Sequence, residues 1–515
     1  MDLADSKIYL VLAKVLSGTH LGLESVPVTI EVDIAASGLP AFTLVGLADL
    51  AVKESRERVR SALRNSGADF PAKKITVNLA PADLPKEGPS FDLAVAVGIL
   101  LASEQLFGDL SKTLLLGELS LDGNLRAVNG VLSAAVLARA MGLERILVPQ
   151  DNVLEAAVVE GIKVYGFENL KSVVEFLSGI KEFEPSPVTN LNLEADFELE
   201  HNFADIKGQN QAKRALEIAA AGAHNLLLKG PPGAGKTMLA RAFPSILPEM
   251  SQEEALEVTR IYSVSGNLSK SMPFITTRPF RSPHHTASYV GIIGGGNNIK
   301  PGEISLAHRG TLFLDELPEF QRQVLESLRQ PLEDRYVTIS RAQGSLTFPC
   351  QFILLAALNP CPCGFLGSLN RSCICAPGEI SRYQKKISGP LLDRIDIHLD
   401  VPFVEVEKLT GSDESESSIY IRDRVKAARS LQKQRFADTQ TLTNSEMTSQ
   451  QIKQFCQITP EALDLLKLAI SQMSLSARAY HRVLKVSRTI ADLADSETID
   501  GGHVAEALTY RFTGL

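Results

Sequence analysis

The segment Asn225-Leu226-Leu227-Leu228-Lys229-Gly230-Pro231-Pro232-Gly233-Ala234-Gly235-Lys236-Thr237 restricts this chain more than any other part of it. An apolar run leads into G-x-x-x-x-G-K-[ST], and Thr237–Phe243 reads as the helix behind it. Glycines let successive backbone N–H groups curl around phosphate oxygens, and the helix start adds the positive end of its dipole. Gly230, Pro231, Pro232, Gly233, Ala234, Gly235, Lys236 and Thr237 are therefore the expected ATP-binding loop. In it Lys236 reaches the β and γ phosphates and Thr237 ligates Mg²⁺. A chance glycine-rich turn would lack the buried strand before it and the helix after it.

Further segments extend the pattern. Thr311-Leu312-Phe313-Leu314-Asp315-Glu316 is a buried strand ending in two carboxylates. Asp315 suits the Mg²⁺ shell, and Glu316 suits polarisation of a water for attack on the γ phosphate. Phe352–Leu358 reads as another buried strand, ending at Asn359 where an amide can orient that water. In Ser388-Gly389-Pro390-Leu391-Leu392-Asp393-Arg394-Ile395-Asp396, Arg394 either reaches a neighbour's nucleotide or pairs with Asp393 or Asp396.

The 515 residues hold several domains. Residues 1–180 alternate strand-like and helix-like segments: Val28–Ile34, Lys74–Leu79 and Arg145–Pro149 as strands, Val52–Asn65, Pro89–Glu104 and Val131–Met141 as helices. An acidic linker, 181–202, precedes a strand-rich core over 203–403. An acidic, Ser-rich stretch, 410–418, then separates that core from a helical tail, 419–515. The chain is acidic by eight charges, yet Lys181–Asp205 and Glu405–Glu416 together hold more than that deficit. Basic residues gather in the tail at Arg422–Arg435 and Arg478–Arg488, either as solvated helix faces or as a stripe for a nucleic-acid backbone. Met1-Asp2-Leu3-Ala4-Asp5 does not read as a secretory signal, and Leu93–Ala102 is too short to span a bilayer. A cytoplasmic location with no membrane partner is expected.

These motifs, in their order, resemble those of an AAA+ ATPase. The flanking strings resemble the YifB/ComM family, in the magnesium-chelatase-like branch, over nearly the whole chain. They are Ile206-Lys207-Gly208-Gln209, Phe280-Arg281-Ser282-Pro283-His284-His285-Thr286, Pro301-Gly302-Glu303-Ile304-Ser305-Leu306-Ala307-His308, Asn359-Pro360-Cys361-Pro362-Cys363-Gly364 and Ser476-Ala477-Arg478-Ala479-Tyr480-His481-Arg482. The resemblance implies an α/β architecture: a Lon-protease-like (ribosomal S5 domain 2-like) α+β domain, an AAA+ P-loop domain and a C-terminal helical lid. It gives Asn359 the sensor-one role, Arg394 that of an arginine finger acting in trans, and Arg478 sensor two, with Arg482 as the alternative. It further implies a hexameric motor, using ATP and Mg²⁺, that acts on single-stranded or branched DNA. Branch migration or helicase activity in homologous recombination during natural transformation would be its work. The competing reading is a chelatase-like or protein-remodelling ATPase without DNA activity. No tetrapyrrole partner is expected, nor the metal-ion adhesion domain marked by D-x-S-x-S.

Three local readings complete the set. Arg335–Phe348 reads as a hairpin in which Val337 and Ile339 alternate with Thr338 and Ser340 around the turn Arg341–Ser345. In this branch such a hairpin enters the central pore, making Arg341 a DNA phosphate contact, with Lys300 in the glycine-rich loop 291–302 as a second; the alternative is a plain hairpin with a solvated arginine. Cys361, Cys363, Cys373 and Cys375 suit a closed structural Zn²⁺ site, or are four reduced thiols; Cys350 and Cys456 read as buried thiols. His284 and His285 are either ligands or shape a loop beside the ATP site. Pro85-Lys86-Glu87-Gly88-Pro89-Ser90 resembles the serine turn of Lon proteases, but Leu132 stands where that family has its lysine. Ser90 thus lacks a base, and its expected role is a helix N-cap.

Overall fold

The computed structural model describes residues 12–47, 49–86, 88–189, 201–268, 273–296, 299–341, 344–368, 371–403, 415–473 and 476–511. Most of the acidic linker, much of the Ser-rich stretch, the hairpin tip at 342–343 and the side chain of Arg341 lie outside them. The chain divides into two compact units, Met1–Asn192 with Ala255–Ile275, and Leu193–Glu254 with Thr276–Leu515. No helix among the described residues is long and apolar enough to cross a membrane.

The first unit is built on a seven-stranded mixed sheet: β1 (Ala13–Leu21), β2 (Glu24–Ile34), β3 (Ala41–Val45), β4 (Lys74–Ala80), β5 (Thr113–Leu115), β6 (Arg145–Pro149) and β7 (Lys163–Phe167). Their order is β3-β4-β2-β1-β5-β6-β7. Strict alternation decides which face turns inward: Val28, Ile30 and Val32 of β2 and Ile75, Val77 and Leu79 of β4 are fully buried. The helix Asp92–Ala102 is apolar all round and buried nearly throughout. A Cβ on its Gly98 would stand 2.7 Å from Val32 Cγ2, so glycine sets how closely the helix lies on β2. Leu132 is fully buried in the helix Val131–Ala140.

Two features depart from expectation. Ser90 caps no helix: Pro89–Phe91 form a short 3₁₀ turn, and the α-helix begins at Asp92 behind Phe91. Proline at the first position of that turn starts it early, which leaves Ser90 inside. Asp92 is instead buried against Arg58 at 2.6 Å. Moreover, Ala255–Ile275 belongs with this unit although it lies far on in the chain. Ser263 donates to buried Glu155, whose carboxylate also accepts from Leu132 N at 3.0 Å, and Arg260 donates to Leu23 O at 3.2 Å.

The second unit holds a five-stranded parallel sheet: β8 (Leu226–Lys229), β9 (Phe280–Arg281), β10 (Thr311–Leu314), β13 (Ile353–Leu358) and β14 (Ile397–Asp400), with the hairpin β11 (Tyr336–Arg341) and β12 (Gly344–Pro349) set between β10 and β13 in sequence. The order is β9-β10-β13-β8-β14. Strands covered on both faces must be apolar throughout, and every residue of β10 and β13 is buried. The hairpin follows its alternation: Val337, Ile339 and Phe348 are buried, while Thr338 meets Thr347 and Ser340 meets Ser345 on the open face. Pairing of Arg341 with Gly344 makes the turn tighter than expected.

Helices Ser418–Arg435, Ser449–Phe455, Pro460–Met473, Ala477–Leu493 and Gly501–Thr509 follow the sheet and share its apolar core. Ser417, Thr448, Ser476 and Asp500 cap their helices through side-chain oxygens.

Candidate nucleotide site

Strand order brings the motif residues together. β13 lies between β8 and β10, so the residues that follow these three strands emerge side by side, where the order reverses. Gly230 N donates to Leu358 O at 3.2 Å, and a Cβ on Gly230 would fall 2.2 Å from Val401 O. Only glycine fits there. Gly233 and Gly235 take φ of +80° and +87°, the left-handed region that lets the loop curl.

The ammonium of Lys236, 8% exposed, donates to Gly230 O at 2.7 Å, Pro231 O at 2.9 Å and Asn359 Oδ1 at 3.1 Å. Burial lowers it below the ordinary lysine range, while Asp315 and Glu316 oppose that shift. Thr237 Oγ1 donates to Asp315 Oδ2 at 2.7 Å. A hydroxyl and a carboxylate oxygen at that spacing offer two ligands to one hard cation. Glu316, in left-handed backbone with φ of +51°, is exposed. His285 Nδ1 stands 3.4 Å from Glu316 Oε2, with its ring 4.1 Å from that of His284. The two histidines thus adjoin Glu316.

Two contributors were not singled out from sequence. Gln209 Nε2 donates to Ala234 O at 3.2 Å and Pro402 O at 2.7 Å, joining the glycine loop to the end of the sheet. In the sequence it stands only as the last residue of the string Ile206-Lys207-Gly208-Gln209, with no role attached. Glu333, which no motif marks, accepts from Arg394 at 2.7 Å and lies 3.8 Å from Arg478. Arg394 also donates to Arg329 O and Pro390 O, and it pairs with neither Asp393 nor Asp396. Asp396 instead receives Arg482 at 3.6 Å and His224 at 3.3 Å. Arg482 is 15% exposed against 62% for Arg478.

The cysteine quartet closes over the loop. Sγ of Cys361 lies 3.4 Å from that of Cys363 and 3.6 Å from that of Cys373, and all four sulfurs fall within 4.8 Å of one another. Four thiolates at about 2.3 Å from Zn²⁺ would stand about 3.8 Å apart, so the cage fits a tetrahedral ion. Cys350 and Cys456 are buried away from it, their thiols pushed up to about 12 by burial.

Several of the tail's basic residues are already paired with carboxylates. Arg424 pairs with Glu217 and Glu416, Lys426 with Glu249, Arg435 with Asp492, and Arg488, 1% exposed, with Asp492. Some of these carboxylates, such as Glu217 and Glu249, are distant in sequence, while Asp492 lies one turn beyond Arg488. Lys300 is exposed on a two-residue ladder with Gly294–Gly295. A Cβ on Gly294 would meet Ile339 Cδ1 at 2.7 Å, so this ladder abuts the hairpin. Contrary to expectation, D-x-S-x-S does occur once, at Asp413-Glu414-Ser415-Glu416-Ser417. Ser415 donates to Ile206 O, Glu416 pairs with Arg424 and Ser417 caps a helix, so these groups serve the helix start.

Residues 202–409 match the family described as magnesium chelatase, subunit ChlI; residues 30–152 match subunit ChlI of Mg-chelatase, and 415–511 the ChlI C-terminal family. The chain is 46% identical over 494 residues to uncharacterized protein YifB of Escherichia coli, covering 95% of each. It is 45% identical over 505 residues to competence protein ComM of Haemophilus influenzae, covering 97% of each. A partial match, 30% identical over 145 residues and 27% of this chain, is to the Lon protease of a phytoplasma, Aster yellows witches'-broom. Sheet and loop define a P-loop protein of the magnesium-chelatase-like AAA+ class, which implies ATPase activity. Within that class, the chain belongs to the YifB/ComM family.

Proposed function

We propose that the chain is the ATP-hydrolysing subunit of a hexameric motor acting on single-stranded or branched DNA, with branch migration or helicase activity in recombination during natural transformation. The observation that carries the ATPase reading is the convergence of Lys236, Thr237, Asp315 and Asn359 at three adjacent strand ends. In this reading Gly230–Thr237 cradle the phosphates and Lys236 exchanges neutral carbonyl partners for charged oxygens. Thr237 and Asp315 would hold Mg²⁺, which would supply positive charge to the phosphate oxygens. Glu316 polarises the attacking water and Asn359 orients it. Arg394, paired with Glu333, is the finger for the neighbouring subunit's nucleotide, and Arg478 lies 3.8 Å from the same carboxylate. Arg482 is committed to Asp396, which favours Arg478 for sensor two.

The DNA reading is supported by the name of the ComM relative and by the abutting hairpin and Lys300 ladder, which would present Arg341 and Lys300 to a strand. The first unit is read as a Lon-like scaffold without peptidase activity, the tail as the lid, and the compartment as the cytoplasm. A chelatase-like or remodelling role is favoured only by the ChlI description of the matching families. ATPase rate with and without single-stranded and forked DNA separates the two. Stimulation and strand displacement that Arg341→Ala abolishes are expected; no stimulation and no displacement would favour remodelling.

A further inference from the structure

The four cysteines lie at the nucleotide loop rather than apart from it. One residue, Pro360, separates Asn359, whose Oδ1 accepts from Lys236, from Cys361. Between Cys361 and Gly364 the chain makes a tight turn, with Gly364 N donating to Cys361 O at 2.9 Å. That turn rests on the glycine loop: a Cβ on Gly364 would fall 2.4 Å from Pro232 Cδ and 2.7 Å from its Cγ. Gly364 also has φ of +85°, so both backbone conformation and close approach demand glycine. The backbone N–H of Cys363 donates to Cys375 Sγ at 3.3 Å, a bond that favours a sulfur carrying negative charge.

We propose that the cage binds one Zn²⁺ and thereby clamps the Asn359–Gly364 turn onto Pro232, so that metal occupancy sets how well the loop holds nucleotide. This rests on the reading of Gly230–Thr237 as the ATP loop. Cys361 and Cys363 flank the turn while Cys373 and Cys375 arrive from the far side of the insertion. Without a shared ion, the two arms are joined by weak sulfur contacts and a backbone N–H bond. Bound to one soft, four-coordinate cation they hold the turn instead, and the turn holds Pro232. Asn359 then stays aimed at Lys236. The ion takes no part in phosphate chemistry: with four thiolates it keeps no open position.

The test uses the full chain purified under reducing conditions, with zinc measured by mass spectrometry and binding of a fluorescent ATP analogue by titration. One zinc per chain is expected. The double variant Cys373→Ser/Cys375→Ser should lose it and bind nucleotide about tenfold more weakly or worse. Gly364→Ala should keep its zinc and still bind nucleotide about tenfold more weakly, which covers the case in which the cysteine variant does not fold. Lys236→Ala should keep its zinc and lose nucleotide. A chain without zinc would overturn the cage. Zinc-loaded Gly364→Ala with wild-type nucleotide affinity would overturn the clamp while sparing the cage. Lys236→Ala that binds nucleotide normally would overturn the ATP-loop reading, an outcome distinct from the other two.

Discussion

Arg394 is held at 2.7 Å by Glu333 and accepted by two backbone carbonyls of its own chain, and only 11% of its side chain is exposed. If it acts on a neighbour's γ phosphate, it must leave these partners. Glu333 is 41% exposed, so solvent limits the pair to about 1 kcal/mol. Glu333→Gln is therefore expected to raise the ATPase rate by up to about fivefold where finger engagement limits turnover. Arg394→Ala removes the transition-state charge itself and should cost roughly a thousandfold or more. The stronger assay mixes two inactive proteins, Arg394→Ala and Lys236→Ala. In a ring with head-to-tail interfaces, a site is competent when its Lys236 comes from one variant and its Arg394 from the other. Random equimolar mixing makes about one interface in four competent, so about a quarter of wild-type activity should return. Activity no greater than the sum of the separate variants would refute action in trans.

Glu316→Gln should retain ATP binding and lose about a hundredfold or more in turnover, read by equilibrium binding beside steady-state hydrolysis. Gly98→Val places branched carbon against Val32 in a packed core and should destabilise the first unit by about 1–3 kcal/mol, measured by chemical denaturation. His398 is buried, and burial aided by the charge of Arg511 lowers its pKa from 6.5 to about 4. A depressed histidine contributes stability that is fully present above about pH 6.5 and lost as pH falls towards 4, about 3 kcal/mol in all. His398→Gln should flatten that part of the denaturation profile.

What was legible in the sequence had local causes. Glycine spacing, unbroken apolar runs and a lysine–threonine pair mark β8, β10 and β13 because a buried parallel strand and a phosphate loop each need those residues in place. The V-T-I-S alternation marks the hairpin for the same reason. What escaped depends on residues far apart in the chain. Nothing around Glu333 announces that Arg394 and Arg478 will meet there. Ser90 was misread because its role turns on a one-turn 3₁₀ segment started by Pro89, which no periodicity reveals. Ala255–Ile275 joins the first unit through Glu155 and Leu23, pairings that only tertiary structure brings about.

Charge placement makes the same point and narrows where DNA can bind. Ten basic residues in two tail runs look like a backbone-binding stripe, yet Arg424, Lys426, Arg435 and Arg488 face Glu217, Glu416, Glu249 and Asp492. A cation already paired with a carboxylate releases no DNA counterion unless the pair breaks, so its share of binding is small. Positive charge free to meet phosphate is then sought on the Lys300 ladder and the hairpin. For single strands, each phosphate neutralised adds about 0.7 to the slope of log affinity against log salt. Lys300→Ala and Arg341→Ala should each lower that slope by about 0.7 per subunit engaged. Arg424→Gln should leave the slope unchanged and lower stability, because it removes one of the two arginines that pair with buried Glu217. Fluorescence-anisotropy titrations across a salt series measure all three. A slope that falls with Arg424→Gln and holds with Arg341→Ala would move the DNA path off the hairpin and onto the tail.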